Sequence, residues 1–264
     1  MKFTDQDLKK LWKPRKDSSG EDNGQITIIG GSKLFHGAPM LAVKAASRLV
    51  DMVFFGSPER DLEKVAKLNS FIWIPWEDME EYVAKSEAIL IGPGMMRYRK
   101  NLPEGVFDEA GTETKMLTQY LLGKYKEKRW VIDGGSLQTI DKTFIPKNSI
   151  LTPNKYEYEI LFGGTKIEEA AKKHKCVIIS KGPVAIVTDG ETTYEVRGGN
   201  AGLTKGGTGD VLAGIIVGLA AKNPPLLAAA AGTHLLKKTA DKLFEENEYW
   251  YNADDVAEKL VFPA

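Results

Sequence analysis

The chain has 264 residues, and its 36 lysines and arginines balance its 36 aspartates and glutamates, so the formal net charge is zero. This balance argues against a nucleic-acid binder held by bulk charge, an acidic tail and a polybasic membrane anchor. A single cysteine excludes an internal disulfide, and three scattered histidines argue against a metal cluster. The sequence starts with no apolar leader and has no run that could span a bilayer, so we expect a cytoplasmic protein.

Short apolar runs alternate with helical patterns along the chain, which is typical of a parallel sheet covered by helices. Residues 1–23 predict an N-terminal helix and a polar connector. Strands are predicted over residues 25–29, 52–55, 71–74, 88–91, 130–133, 150–151 and 176–180. Helices are predicted between them, over residues 38–49, 61–68, 79–85 and 114–124.

Residues 184–188 and 192–196 flank Asp189-Gly190, a dipeptide typical of tight hairpin turns. We therefore expect the sheet to end in antiparallel strands at one edge. Further helices are predicted over residues 208–221, 225–244 and 253–261. Because no repeat or low-complexity linker divides the sequence, residues 1–264 are expected to form a single three-layer α/β domain.

Glycines cluster at the predicted carboxyl ends of strands, where α/β folds bind ligands. They occur in four segments: Gly30-Gly31-Ser32, Gly92-Pro93-Gly94, Asp133-Gly134-Gly135-Ser136 and Gly206-Gly207-Thr208-Gly209. Such loops can present backbone N–H groups to phosphate oxygens. Any one of them is explained by the needs of a turn, but four together favour ligand binding. The P-loop pattern is absent, and no strand is followed by Gly-x-Gly-x-x-Gly.

Asp210 lies in the first turn of the helix that the last of these segments opens. Helix N-termini bind anions through free N–H groups and the helix dipole. A carboxylate beside such a site can accept the proton of a hydroxyl that receives a phosphoryl group. Helix capping explains an aspartate here equally well, so this segment alone leaves both interpretations open.

Residues 200–214 resemble the signature of the ADP-dependent NAD(P)H-hydrate dehydratases, a family of ribokinase-like proteins. The Gly-Gly-Thr-Gly-Asp part is shared across ribokinase-like kinases. His36-Gly37-Ala38-Pro39 and Asn200-x-Gly202 narrow the resemblance to the dehydratases, and Gly92-Pro93-Gly94-Met95 and Lys181-Gly182 also stand in family order. The resemblance implies a ribokinase-like fold: a mostly parallel central sheet with an antiparallel edge hairpin and helices on both faces.

The resemblance implies a repair reaction. The ring hydroxyl of hydrated NADH or NADPH is phosphorylated from ADP, and loss of phosphate restores NAD(P)H, with AMP as the other product. ADP is then a co-substrate and Mg²⁺ the cofactor. The family also implies a homo-oligomer, such as a tetramer, with small-molecule nucleotides rather than nucleic acid or membrane as partners, and it leaves open a separate epimerase.

The resemblance also assigns roles to individual positions. Asp210 is the implied base, and Gly207, Thr208 and Gly209 are the implied anion hole. The implied contacts to ADP or AMP are Lys181, Gly182, Pro183, Val184, Ala185 and Gly209. The implied contacts to hydrated NAD(P)H are Ala38, Gly94, Asn154 and Asp210, and Glu157 is the implied Mg²⁺ residue, acting through water.

Three positions depart from the family pattern. Asn154 replaces a histidine, Gly135 replaces a second carboxylate, and Ala185 replaces a threonine. Two alternatives stay open. One is a ribokinase-like kinase for a vitamin precursor, which stops after phosphorylation and shares the Gly-Gly-Thr-Gly-Asp motif. The other is a nucleotide-binding relative with weakened activity, which Asn154 and Gly135 support. The preferences for ADP or ATP and for NADH or NADPH hydrate are not predicted.

Overall fold

The computed structural model describes residues 1–62, 69–99 and 108–262. The strands are β1 Gln25–Ile29, β2 Met52–Gly56, β3 Ile72–Trp73, β4 Ala88–Ile91, β5 Arg129–Ile132, β6 Ile150–Leu151, β7 Val177–Ser180, β8 Ala185–Thr188 and β9 Thr193–Val196. The helices are α1 Asp5–Leu8, α2 Gly37–Ala46, α3 Met79–Lys85, α4 Glu109–Lys124, α5 Gly134–Thr139, α6 Lys155–Phe162, α7 Ile167–His174, α8 Thr208–Ala220, α9 Pro225–Asn247 and α10 Ala253–Glu258.

These strands form one sheet in the order β3-β2-β1-β4-β5-β6-β7-β8-β9. Strands β1 to β7 are parallel, whereas β8 runs antiparallel to β7 and β9 antiparallel to β8. The turn between β8 and β9 is closed by Asp189, whose Oδ1 accepts the backbone N–H of Glu191 and of Thr192. The predicted parallel sheet with an antiparallel edge hairpin is confirmed.

Helices cover both faces of the sheet, so the central strands consist mainly of apolar residues. Successive residues point to opposite faces. In β5, Val131 belongs to the core under α2, α8, α9 and α10, while Trp130 and Ile132 belong to the core under α3 to α7. All three side chains are fully buried. The three-layer arrangement follows directly from these two cores.

Helix α8 is buried on nearly all sides, and two of its glycines allow a close approach to α2. A Cβ on Gly214 would lie 2.3 Å from the carbonyl oxygen of Ala42, and one on Gly218 would lie 2.9 Å from Cβ of Leu49. Neither position can take a larger side chain without moving its neighbour. These contacts hold the middle of α8 closely against α2 and the turn that follows it.

The predicted strands agree with the structure to within one residue at each end. The predicted helix over residues 61–68 lies outside the described residues from position 63 onward. Three helices were not predicted, namely α5, α6 and α7. The predicted N-terminal helix is only one turn long, Asp5–Leu8. Within the described part of the chain, no helix has the length and apolar character needed to cross a membrane.

Candidate active site

The loops that follow β1, β4 and β5 interlock through backbone hydrogen bonds. The Gly31 N–H donates to the carbonyl oxygen of Pro93 at 2.8 Å, and the Gly135 N–H donates to that of Gly92 at 3.1 Å. Gly92 has a φ of 117°, and a Cβ there would lie 1.9 Å from the carbonyl oxygen of Asp133. Position 92 therefore requires glycine, because its φ is positive and because no space is left for a Cβ. Three of the four predicted glycine loops do meet at the carboxyl edge of the sheet; one of them also carries Asp133.

Helix α8 begins directly after Gly207, which has a φ of 92°. A Cβ on Gly207 would lie 2.5 Å from Cδ1 of Leu41 and 2.8 Å from Cβ of Ala253, so this contact and the positive φ would strain any other residue there. The Thr208 hydroxyl donates inward, 2.7 Å from the carbonyl oxygen of Leu203 and 2.9 Å from that of Lys205. Any contribution of Thr208 to an anion site must therefore come from its backbone N–H, which makes a long hydrogen bond of 3.4 Å to the carbonyl oxygen of Lys205. Helix N-termini carry N–H groups without intrahelical acceptors.

Asp210 is half-buried in the first turn of α8. The pKa of its carboxyl is raised to about 7, chiefly by burial and then by the neighbouring charge of Asp133, while the charge of Lys181 acts to lower it. A Cβ on Gly209 would lie only 3.4 Å from Nζ of Lys181. The structure thus brings together Asp210, Gly209 and Lys181, which the sequence analysis placed in one site from distant segments.

Asp133 lies immediately after β5 and is buried. Its Oδ1 accepts the hydroxyl of Thr152 at 2.5 Å and lies 3.6 Å from Nζ of Lys181. Asp133 is not among the residues for which the sequence predicted a role. Its position at the carboxyl end of a central strand was the available signal, because parallel strands converge there on the same edge as Asp210.

Asn154 and Glu157 form a reciprocal capping box at the start of α6. Oδ1 of Asn154 accepts the backbone N–H of Tyr156 and of Glu157, and Oε2 of Glu157 accepts the Asn154 N–H at 2.8 Å. Oε1 of Glu157 accepts a hydrogen bond from Gln138 at 3.0 Å. Burial raises the pKa of the Glu157 carboxyl, and the charge of Asp133 adds to this rise. The predicted substrate contact Asn154 therefore also has a structural role.

Gly94 and Ala38 lie side by side at the start of α2. A Cβ on Gly94 would lie 2.2 Å from the carbonyl oxygen of Phe35 and 3.2 Å from Cβ of Ala38, and its φ is 70°. Ser32 holds this loop by donating its hydroxyl to the Gly94 carbonyl oxygen at 2.8 Å. These two predicted substrate contacts are thus neighbours: Ala38 lies on α2, the helix that packs against α8, and Gly94 lies in the loop after β4.

The missing second carboxylate at Gly135 has a steric explanation. A Cβ at this position would lie 2.3 Å from the carbonyl oxygen of Met95 and 2.7 Å from its carbonyl carbon. The backbone of the loop after β4 therefore occupies the space that an aspartate at residue 135 would need. The path of the backbone at Met95 therefore explains why glycine replaces the family's second carboxylate at position 135.

A cavity of about 490 Å³ opens between the loop after β7, the loop after β9 and the start of α8. The predicted nucleotide contacts that line it are Lys181, Gly182, Pro183, Ala185 and Gly209. Val184 is not among the lining residues, and its side chain is 40% exposed. Much of the remaining wall was not predicted from the sequence. It is formed by Gly198, Gly199, Asn200, Ala201, Leu203, Thr204, Thr208, Leu212, Thr233, Leu236 and Lys237.

The carboxylates of the site are oxygen donors of the kind that Mg²⁺ prefers. Among the described residues, however, no three His, Cys, Asp or Glu side chains converge to hold a metal by themselves. Mg²⁺ in nucleotide enzymes commonly keeps several waters and binds one or two carboxylates plus phosphate oxygens. The residues present therefore fit a magnesium ion that arrives with a nucleotide, and Asp133 and Glu157 are the buried carboxylates of the site.

Residues 26–261 match the family described as NAD(P)H-hydrate dehydratase. The chain is 34% identical over 268 residues to the bifunctional NAD(P)H-hydrate repair enzyme Nnr of Methanocaldococcus jannaschii, covering 96% of this chain and 50% of that protein. It is 30% identical over 262 residues to the ADP-dependent (S)-NAD(P)H-hydrate dehydratase of Cenarchaeum symbiosum, covering 93% and 90%. The chain thus spans about half the length of the bifunctional relatives it matches.

A solved structure shares the fold. It is an ADP/ATP-dependent NAD(P)H-hydrate dehydratase from Bacillus subtilis, co-crystallized with ATP and Mg²⁺, with a TM-score of 0.80 and 22% identity over 98% of this chain and 95% of that one. At this identity the comparison bears on the fold alone, which is ribokinase-like, as expected. Because the family match covers most of the chain, this protein belongs to the NAD(P)H-hydrate dehydratase family.

Proposed function

We propose that this protein is an ADP-dependent NAD(P)H-hydrate dehydratase that repairs hydrated NADH and NADPH. The observation that carries the proposal is Asp210, a half-buried carboxyl with a pKa raised to about 7, in the first turn of a helix beside Lys181. A carboxyl that titrates near neutrality can accept a proton and release it again. The adjacent helix start and ammonium would stabilise the negative charge of a phosphoryl group.

The first chemical step is phosphoryl transfer. The ring hydroxyl of the hydrate attacks the terminal phosphorus of ADP, its proton passes to the Asp210 carboxylate, and the bond to AMP breaks. Backbone N–H groups of residues 207–209 and the Lys181 ammonium would hold the phosphoryl oxygens. A magnesium ion bound with the nucleotide would neutralise part of the phosphate charge, and Glu157 would help to hold it through water.

The second step is elimination. The lone pair of the ring nitrogen expels phosphate from the neighbouring carbon, and loss of a proton from the adjacent ring carbon leaves the double bond of NAD(P)H. Hydroxide is a poor leaving group and phosphate a good one, so the first step prepares the second. The products are NAD(P)H, AMP and phosphate.

The cavity beside α8 would hold the nucleotide. Leu203, Leu212 and Leu236 offer apolar surface for a base, while Lys181 and Gly209 at the cavity margin would face its phosphates. Ala185 lacks the hydroxyl of the family threonine, so base binding here would depend on shape and backbone groups. Ala38, Gly94 and Asn154 would contact the hydrated dinucleotide. A cytoplasmic location, assembly into a homo-oligomer and a separate epimerase remain predictions.

The decisive experiment is an activity assay of the purified protein with hydrated NADH, Mg²⁺ and either ADP or ATP. We expect NADH absorbance to return, with release of one phosphate per NADH formed. Reactions without nucleotide control for spontaneous recovery. Absence of NADH with every nucleotide would contradict the proposal. Consumption of nucleotide with a vitamin-precursor alcohol, without NADH formation, would favour the kinase alternative instead.

A further inference from the structure

Lys237 is a buried lysine on α9 that the proposed reaction does not use. Only 5% of the surface of this residue is exposed to solvent. Its Nζ donates to the carbonyl oxygens of Gly182 at 2.9 Å, Pro183 at 2.8 Å and Gly198 at 2.8 Å. An ammonium group has three N–H donors, so these bonds satisfy it completely.

The three acceptors belong to two loops that are far apart in sequence. Gly182 and Pro183 follow β7, whereas Gly198 follows β9, and all three residues line the cavity of about 490 Å³. Lys237 lines it as well. The Lys237 ammonium therefore links the loop after β7 to the loop after β9 through hydrogen bonds, on the side of the cavity where α9 packs against the sheet.

The charge of Lys237 has a physical cost that an apolar side chain would avoid. Burial lowers the pKa of its ammonium, which means that the surroundings disfavour the charged form. A buried charge is tolerated when its hydrogen bonds are all made, and a well-packed apolar residue is often as stabilising. Fold stability alone therefore does not account for a lysine here, whereas a need to hold three carbonyl groups does.

A second residue on the same face of α9, Asp241, hydrogen-bonds to the loop after β9. Asp241 lies one helical turn after Lys237, and its Oδ2 accepts the N–H of Gly199 at 2.9 Å. Gly198 and Gly199 have φ angles of 95° and 75°, so this part of the loop follows a path that only glycine adopts easily. Two successive glycines are thus held by two charged side chains at positions i and i+4.

We propose that Lys237 is a positioning residue for the nucleotide, which sets the separation of the loops after β7 and β9 and so preforms the cavity between them. The inference rests on the proposed role of this cavity as the nucleotide site. Without the ammonium, the three carbonyl oxygens lose their donor and the loops must find other partners. Nucleotide binding then has to restore the cavity, which weakens affinity.

The test compares Lys237→Met with Lys238→Met, which alters the neighbouring, more exposed lysine that pairs with Asp5. ADP binding is measured by calorimetry, and KM for ADP and kcat by the dehydratase assay. We expect Lys237→Met to raise the Kd and KM for ADP on the order of tenfold. The kcat at saturating ADP should change less than threefold, because the proposed base Asp210 lies on α8 rather than on either of these loops. Lys238→Met should leave all three values unchanged. A folded Lys237→Met protein with wild-type affinity would overturn the inference.

Asp241→Ala gives an independent route if Lys237→Met does not fold. This change removes the acceptor of the Gly199 N–H from a half-buried side chain and should raise the Kd for ADP in the same direction. In that event, unchanged affinity in Asp241→Ala would overturn the inference. Failure of the wild-type protein to bind ADP or ATP would instead contradict the proposed nucleotide site itself, so the two failures are distinguishable.

Discussion

The ammonium of Lys181 lies 3.6 Å from the carboxylate of Asp133, and the two groups act on the pKa of Asp210 in opposite directions. Asp133 raises the pKa of the Asp210 carboxyl, and Lys181 lowers it. The proton affinity of the proposed base is thus set by groups on two other loops, together with its burial. This relationship makes the acid-base behaviour of the site testable by substitution.

Replacing the proposed base should abolish turnover while leaving the fold intact. Asp210→Asn keeps the size of the side chain but cannot accept a proton from the substrate hydroxyl. We expect kcat to fall about a thousandfold, within the range known for general bases. The measurement is NADH formation from the hydrate with ADP.

The matched control for this change is Asp254→Asn, in the first turn of α10, where the aspartate side chain is 69% exposed. It should retain wild-type turnover. If Asp210→Asn kept more than a tenth of the wild-type kcat, Asp210 would not be the base.

The pH dependence of kcat/KM should report the raised pKa of Asp210. Activity requires the carboxylate, so we expect kcat/KM to fall below a pH of about 7. Asp133→Asn removes a charge that raises this pKa, so the acid limb should move to lower pH. Lys181→Met removes a charge that lowers it, so the limb should move to higher pH. Shifts in the same direction for both variants would contradict this arrangement.

The raised pKa of Asp210 also makes a prediction about stability. Its folded-state pKa of about 7 exceeds the unfolded value of 3.8, so between these values the folded protein holds a proton that the unfolded chain releases. This group's contribution to stability therefore falls as pH rises from about 4 to about 7 and remains unfavourable above that. At pH 8, we expect Asp210→Asn to melt a few °C higher than wild type. A lower Tm would show that Asp210 is structurally required.

Loss of the Glu157 charge should weaken the use of magnesium. Glu157→Gln keeps an oxygen that can accept the Asn154 N–H, so the capping box of α6 is preserved. We expect the Mg²⁺ concentration for half-maximal activity to rise on the order of tenfold. Asp255→Asn, in the corresponding capping box of α10, serves as control and should leave the magnesium requirement unchanged. An unaltered requirement in Glu157→Gln would remove Glu157 from this role.

The close contact at Gly135 should make even one added carbon destabilising. Gly135→Ala places Cβ 2.3 Å from the Met95 carbonyl oxygen, and relief of that clash should cost about 1–3 kcal/mol of unfolding free energy. Gly123→Ala, in α4, meets no atom within 4 Å and should be neutral or stabilising by up to about 1 kcal/mol. Chemical denaturation of both variants gives the comparison. Equal stability of the two would mean that the loop after β4 can move aside.

Most of the sheet was predictable because its strands are buried on both faces. In β1 and β4, runs of Ile, Leu, Ala and Thr are bounded by Gly or polar residues, and both strands were predicted to the residue. Helix α6 was missed since its eight residues mix charged and aromatic side chains. A signal existed nonetheless: Asn154 followed three residues later by Glu157 is a capping-box pattern.

The candidate site was predicted in part. Asp210 and Lys181 come from recognisable segments, and the structure brings them together. Lys237 gave no signal because a lysine in an amphipathic helix normally faces solvent, and only the tertiary fold brings the loops after β7 and β9 to it. Helix α5 was not predicted because its first two residues, Gly134 and Gly135, are poor helix formers. Both glycines lie against the backbone of the loop after β4, which leaves no space for a side chain.

The contact of Gly214 with the Ala42 backbone fixes the helix that carries Asp210. Helix α8 cannot slide or rotate without breaking this contact and disturbing the core around it. Asp210 should then keep its place until the whole domain unfolds, and amide hydrogens in the middle of α8 should exchange only through that global event.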